Sequence, residues 1–208
     1  MFSGIVEEAA RVAAVEEVSL GRRLSIESRL DHSDTELGDS ICVDGVCLTV
    51  VEKEEQAAGG ESWLLRFDVA SETLRCTTLG SVSEGGAVHL ERSLQIGGRV
   101  HGHLVTGHVD GVAKVSSVTE EGETTKVRLE LDSPSPLIAR KGSVTLAGVS
   151  LTVGDVTDSS FEIYLIPHTK EVTRFDKISE GDQINIEFDM MARYVSQQLA
   201  FIGGAEQR

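Results

Sequence analysis

The densest cluster of reactive side chains is HGHLVTGHVDG, which brings His101, His103, His108 and Asp110 together within ten residues. Imidazoles at i and i+2 on a strand share a face, and imidazole is a common zinc ligand. A closed zinc site needs further ligands, however, and a catalytic one needs an open position, so this spacing does not establish a metal and none is expected. A second cluster occurs twice, as GVCLTV and GVSLTV. On a strand Cys47 and Thr49, and likewise Ser150 and Thr152, point to one side, while Val46, Leu48 and Val50, or Val149, Leu151 and Val153, point to a core. A thiol or hydroxyl displayed in this way is a candidate nucleophile, although small residues filling a barrel give the same pattern. A third element, Ser71-Glu72-Thr73 against Pro167-His168-Thr169, follows a strand in each case. Polar rim groups there suit a heterocycle or a polyol held by hydrogen bonds, but on this signal alone a plain turn is the expectation.

These clusters recur because the chain repeats itself once. Ser3-Gly4-Ile5-Val6 lies over Thr106-Gly107-His108-Val109, and GDSICVDGVCLTV (38–50) over KGSVTLAGVSLTV (141–153), at an offset of 103. Further on, FDVASETLRCTTL (67–79) lies over IYLIPHTKEVTRF (163–175) at an offset of 96, and an acidic loop from Glu52 to Glu61 is expected to absorb the difference. Two copies of this length are tandem domains, where a solenoid needs a period of roughly 20–50 residues and at least three copies. Within each copy the apolar runs (RLSIES, SICVDGVCLTVVE, WLLRFDVA, AVHLE) are short, alternating and rich in β-branched residues, with Gly, Asp and Ser between them. The pattern predicts small antiparallel barrels or sandwiches. After Asp189 the period changes: Met191, Tyr194, Val195, Leu199 and Ile202 recur at three- and four-residue spacing, predicting one amphipathic helix that Gly203-Gly204 ends. Such a helix either caps its own barrel or packs with copies of itself. The expected divisions are 1–96, 97–188 and 189–208.

The copies keep the frame but differ at polar positions: Cys47 becomes Ser150, Ile5 becomes His108 and Gly38 becomes Lys141. Matching pockets with diverged reactive groups point to two similar ligands handled differently. Composition narrows the classes. With 34 acidic and 19 basic residues among 208, the formal charge is −15, which argues against nucleic-acid or anionic-membrane partners. Three cysteines, Cys42, Cys47 and Cys76, without a CxxC pair support neither a disulfide framework nor a zinc knuckle, and a reducing cytoplasm is expected. There is no leader pattern at MFSGIVEEAARV and no apolar run of about 20 residues. GxxxxGK, GxGxxG, HExxH and GxSxG are all absent, so nucleotide hydrolysis and nicotinamide chemistry lose support.

With these residues in view, the sequence resembles the riboflavin synthases of the two-domain, α-subunit type, the lumazine-binding repeat family. The resemblance runs nearly end to end through MFSGIVE, GDSICVDGVCLTV, ETLRCTTLG, ERSL, GHLVTGHVDG, KGSVTLAGVSLTV, LIPHT and INIEFDMMARYV, in family order. It implies an all-β chain of two tandem homologous six-stranded Greek-key β-barrels plus a C-terminal α-helix that assembles a homotrimer. It also implies a transferase that dismutates two molecules of 6,7-dimethyl-8-ribityllumazine. A four-carbon unit passes between them to give riboflavin and 5-amino-6-ribitylamino-uracil, without metal or redox cofactor. The resemblance leaves open an association with a lumazine synthase shell.

In the family the active site lies between the N-terminal barrel of one subunit and the C-terminal barrel of its neighbour. By resemblance the substrate contacts fall on Gly4, Ile5, Val6, Cys47, Leu48, Thr49, Asp68, Val69, Ala70, Ser71, Glu72 and Thr73, and on Gly107, His108, Val109, Lys141, Ser150, Leu151, Thr152, Tyr164, Leu165, Ile166, Pro167, His168 and Thr169. The expected catalytic groups are His108 for proton transfer, since histidine as a residue type titrates near neutrality, Ser150 with Thr152 to add directly or through water to the donor ring, and Cys47 beside its partner molecule. The sequence departs from the family at His101, where Gly is usual, at VTRFDK after LIPHTKE, and at Ala147, where Asp or Asn is common. The rival reading is a non-catalytic lumazine- or flavin-binding antenna or carrier. Such relatives lose several of the motif residues that stand here.

Overall fold

The computed structural model describes residues 1–57 and 62–205. The first half forms β1 (Glu8–Val18), β2 (Gly21–Ser28), β3 (Ser40–Val43), β4 (Val46–Ala57), β5 (Ser62–Ala70), a short helix α1 (Ser71–Cys76) and β6 (Ala87–Arg92). The second repeats this as β7 (Gly111–Glu121), β8 (Thr124–Glu130), β9 (Ser143–Leu146), β10 (Val149–Val156), β11 (Ser160–Leu165), α2 (Pro167–Val172) and β12 (Gln183–Phe188), followed by α3 (Met190–Ala205). Each set closes into an antiparallel six-stranded Greek-key barrel, in the order β1-β2-β5-β4-β3-β6 and the same order six strands later. Closure leaves no unpaired sheet edge among the described residues.

Alternation sets which side chains enter each core. In β5, Trp63, Leu65, Phe67 and Val69 point inward, between Leu64, Arg66, Asp68 and Ala70. Val127, Leu129, Val153, Phe161 and Ile163 fill the second barrel. Val46, Leu48 and Val50, with Val149, Leu151 and Val153, face the cores as their period requires.

Three local expectations are corrected. Glu52–Ala57 is not loop but the end of β4, because its acidic residues find partners on the neighbouring strand. Arg66 pairs with Glu52 (2.8 Å) and Glu54 (3.4 Å), and Lys53 lies over the Trp63 ring. Residues 58–61 of the expected loop lie outside the described residues. The C-terminal helix does not stop at Gly203-Gly204 but runs to Ala205; it starts where Asp189 Oδ1 accepts the Met191 N–H (2.9 Å). Finally, the rim segments Ser71–Thr73 and Pro167–Thr169 open short helices instead of plain turns.

The two barrels are joined by an exchange of loops. Phe2 and Val105 pair backbone to backbone (2.8 and 3.1 Å). Beyond that bridge, Ser150 N–H on the second barrel donates to the Gly4 carbonyl (2.7 Å), and Cys47 N–H on the first donates to the Gly107 carbonyl (2.8 Å). Val6 packs into the core of the second barrel and Val109 against that of the first. Gly4 and Gly107 hold positive φ (75° and 79°), and a Cβ on them would stand 2.5 Å from that of Ser150 and 2.6 Å from that of Cys47. Both the conformation and the close approach therefore require glycine.

A polar seam completes the contact. Asn185 donates from Nδ2 to the Asp44 carbonyl (2.8 Å) and accepts the Thr78 N–H (2.7 Å). At the equivalent place in the first barrel, His89 Nδ1 faces the Ala147 carbonyl and Nε2 faces the Arg174 N–H, each at 2.8 Å. Those partners fix the neutral, Nδ1-protonated ring, and burial lowers its pKa. Arg174 also reaches the Asp44 carboxylate (2.8 Å), a pair whose counterparts in the other copy are Thr78 and Ala147.

Two outcomes are expected. Replacing Gly107 by Ala lowers stability by roughly 2–4 kcal/mol in urea titration, since overpacking adds to left-handed strain, whereas Gly97→Ala, at φ 89° with nothing within 4 Å of the new methyl, costs only about 1 kcal/mol. For His89, whose folded pKa lies below the ordinary value of about 6.5, stability is unaffected above that pH and declines as pH falls from it toward the folded value, because the unfolded chain binds the proton first. His89→Asn, which copies Asn185, narrows the drop in melting temperature between pH 7.5 and 5.5. The remainder stays with His32 and His103, whose pKa values burial also lowers.

Candidate functional site

Two clusters, one per barrel, gather the residues of the repeated motifs. On the second barrel, β10 brings Ser150 outward beside the Gly4 loop. Its Oγ lies 2.7 Å from His103 Nδ1, and His103 Nε2 lies 3.1 Å from Thr145 Oγ1 on β9. His103 is fixed by its own N–H, which donates to the Ser3 carbonyl (3.1 Å), and by Gly102, where a Cβ would collide with the Ser3 carbonyl and with Ser150. Burial lowers the His103 pKa, so the neutral ring is favoured. A neutral imidazole has one donor and one acceptor nitrogen. Both partners are hydroxyls and accept either tautomer; in the one whose Nδ1 accepts from Ser150 and whose Nε2–H donates to Thr145, the arrangement is that of a serine with its general base.

His103 is a candidate functional group that sequence reasoning placed only in the metal cluster. Its partner lies 47 positions away, and only closure of the second barrel on the Gly102-His103 turn brings them together. His101 and His108 are exposed. Among the described residues no three His, Cys, Asp or Glu side chains are grouped as a metal ion would need.

The first-barrel cluster has the same frame and different chemistry. Half-buried Cys47 meets the Gly107 loop, which presents His108, and Thr49 is exposed beside it on β4. The place of Thr145 is taken by Cys42, whose thiol burial pushes well up, next to the Glu91 carboxylate. The chain therefore sets the Gly107 backbone, next to His108, against Cys47, and Ser150 against His103.

Both loops are clamped by buried carboxylates. Glu91 accepts from Ser3 N–H (2.7 Å), Ser3 Oγ (3.0 Å) and Gly4 N–H (3.0 Å). Glu187 accepts from Thr106 N–H (2.7 Å), Thr106 Oγ1 (2.6 Å) and Gly107 N–H (2.8 Å).

The other expected contacts divide by environment. Thr152, Ile166, Pro167 and His168 are exposed at the second barrel's rim, with Thr169 half-buried. Tyr164 is exposed, its hydroxyl 3.3 Å from Glu162. Lys141 is exposed at φ 65°, where the first copy has Gly38. At the first barrel's rim Asp68 is held by Arg23 through both carboxylate oxygens (2.7 and 3.0 Å), Glu72 pairs with Arg75 (2.6 Å), and the hydrogen bonds from each guanidinium lower the carboxyl's pKa. Ser71 Oγ donates to the Leu20 carbonyl (3.2 Å), beside Ala70 and Thr73. Val69 and Leu165 are wholly buried, and Val6, Leu48 and Leu151 nearly so, which leaves only their backbone for a ligand. Ile5 is exposed and Val109 packs on the first core.

With this geometry in place, comparison with known proteins gives a consistent result. The lumazine binding domain family matches residues 3–93 and 106–189, one match per barrel. The riboflavin synthase of Brucella abortus (strain 2308) is 42% identical over 200 residues, spanning 95% of this chain and 97% of its own. That of Mycobacterium bovis is 36% identical over 207 residues, covering 98% and 100%. Among solved structures, LumP complexed with 6,7-dimethyl-8-(1'-D-ribityl) lumazine superposes with a TM-score of 0.76 at 25% identity, over 90% of this chain and 98% of that one. Two lumazine-binding barrels, the paired serine and thiol motifs and end-to-end similarity to synthases together show that this chain belongs to the riboflavin synthase family of lumazine-binding proteins.

Proposed function

We propose that each barrel binds one 6,7-dimethyl-8-ribityllumazine and that the Ser150 cluster of one subunit faces the Cys47 cluster of its neighbour, so that two identical molecules meet as donor and acceptor of a four-carbon unit. The observation that carries this reading is the pairing of two clusters with one backbone frame and two chemistries on a single chain. Ser150 O–H gives its proton to His103 as its oxygen adds at C7 of one ring, and that bond breaks again, the proton returning to Ser150, as the four-carbon unit is transferred. In the alternative a water held with Thr152 adds at C7, passes its proton through Ser150 to His103, and leaves as water at the same stage. His108 moves the proton at the C7 methyl group, which is acidic because the carbanion delocalises into the pteridine. Cys47 and Thr49 contact the partner molecule. Atoms balance without an external oxidant: two lumazines give one riboflavin and one 5-amino-6-ribitylamino-uracil. Holding the two rings in register supplies much of the rate through avoided entropy loss.

The neighbour is a second copy of this chain. Met191, Tyr194, Val195, Leu199, Phe201 and Ile202 on α3 are all exposed in the single chain, and a homotrimer joined through these helices covers them. None of the three cysteines is in a disulfide, and no described helix is long and apolar enough to cross a membrane, which suits work in a reducing cytoplasm.

The deciding assay supplies the lumazine alone and follows all three compounds by chromatography. Riboflavin and the pyrimidine should appear one to one as two lumazines are consumed; tight binding without turnover would instead make the protein a carrier or antenna. Ser150→Ala and His103→Gln are expected to lower kcat by roughly 100-fold, the low end for loss of a base or its nucleophile. Since the neutral form of His103 is the active one and burial lowers its pKa, its share of any acid limb in kcat should appear only below about pH 6.5, and that share should be missing in His103→Gln. An acid limb unchanged by the substitution removes His103 from the chemistry.

A further inference from the structure

Glu187 and Glu91 are buried, with 2% and 4% exposure, and no lysine or arginine forms an ion pair with either among the described residues. Burial pushes the Glu91 carboxyl up from its ordinary value, and its N–H and O–H partners oppose that rise. A carboxyl group without a counter-ion is costly to bury, and it is tolerated only where hydrogen bonds to it are unusually complete. Here they are: two successive backbone N–H groups and a hydroxyl converge on each carboxylate. The arrangement stands in both copies at an offset of 96, although the flanking positions have diverged, His89 against Asn185 and Arg92 against Phe188.

What each carboxylate grips is the loop that crosses to the other barrel. Glu187 fixes Thr106 and Gly107, and Thr106 Oγ1 in turn accepts the His108 N–H (3.3 Å), so the backbone that carries His108 is set from β12. The Gly107 carbonyl then meets Cys47. Glu187 also stands directly across the β9–β12 ladder from Thr145, the residue that holds Nε2 of His103. One carboxylate is thus adjacent to the parts of both clusters.

We propose that Glu187 is a positioning residue for turnover, placing His108 against the Cys47 site, and that Glu91 does the same for the Gly4 loop over Ser150. Neither touches substrate; each acts by denying its loop any other conformation. The assignment to turnover rests on the reaction proposed above, and its dependence on His108 is separable from it.

Glu187→Gln keeps the shape but turns an amide NH2 toward donors that need an acceptor. The expected result is a kcat at least tenfold lower with KM within about threefold of the parent, in protein that keeps its melting transition and subunit number. Glu187→Asp, which retains the carboxyl group, should recover part of the loss. Thr106→Val removes one donor and should lower kcat by about threefold; it also carries the test if the Gln variant fails to fold. A parental kcat in folded Glu187→Gln, or in Thr106→Val where the first cannot be made, overturns the proposal, as does a loss confined to KM. His108→Gln is measured alongside. If it alone turns over normally, the role of the histidine is lost, while Glu187 is still judged on its own kcat through the Gly107–Cys47 contact.

Discussion

The structure depends on two hydrogen bonds, each joining a glycine carbonyl of one half to the backbone N–H of a small polar residue, Ser150 or Cys47, of the other. Gly4 to Ser150 and Gly107 to Cys47 are the points where two otherwise self-contained barrels become one object. Individually such bonds contribute about 1 kcal/mol. Their importance is geometric, because they hold Gly4 so near Ser150, and Gly107 so near Cys47, that an added methyl group has no room. The carboxylates of Glu91 and Glu187 fix the loops from behind, and Val6 and Val109 anchor their far ends in the opposite cores.

Much of this frame is legible in the amino-acid sequence because strands declare themselves by period. WLLRFDVA alternates without a break, and the barrel interior receives the residues that the alternation selects. Cys47 with Thr49, and Ser150 with Thr152, turn outward for the same reason. The long acidic stretch after Val51 misleads because charge is read as solvent exposure. Arg66 and Arg23 offset it, and a pairing between strands is not encoded in the local window. Gly203 and Gly204 mislead in a similar way: glycine disfavours a helix by about 1 kcal/mol per residue without forbidding it.

The site is legible only in part, and the missing portion is what folding brings from a distance. His103, Thr145 and Ser150 occupy three separate segments, and nothing in HGHLVTGH distinguishes the imidazole that meets a hydroxyl from the two that meet solvent. Glu91 and Glu187 are hidden for another reason. At the end of an alternating strand a glutamate reads as an outward charge, and only the incoming loop turns it into a buried acceptor. The reverse holds for Asp68 and Glu72, polar rim residues by position, which arginines occupy in the folded chain.

The crossing of the loops also has a consequence for modular independence. Cut between its halves, the chain would yield two barrels that each lack a seated valine core plug and a carbonyl for a strand N–H, while each keeps a clamped loop with nowhere to lie. The halves are thus interlocked like clasped hands, and a lone half could restore its missing contacts only by clasping another copy of itself.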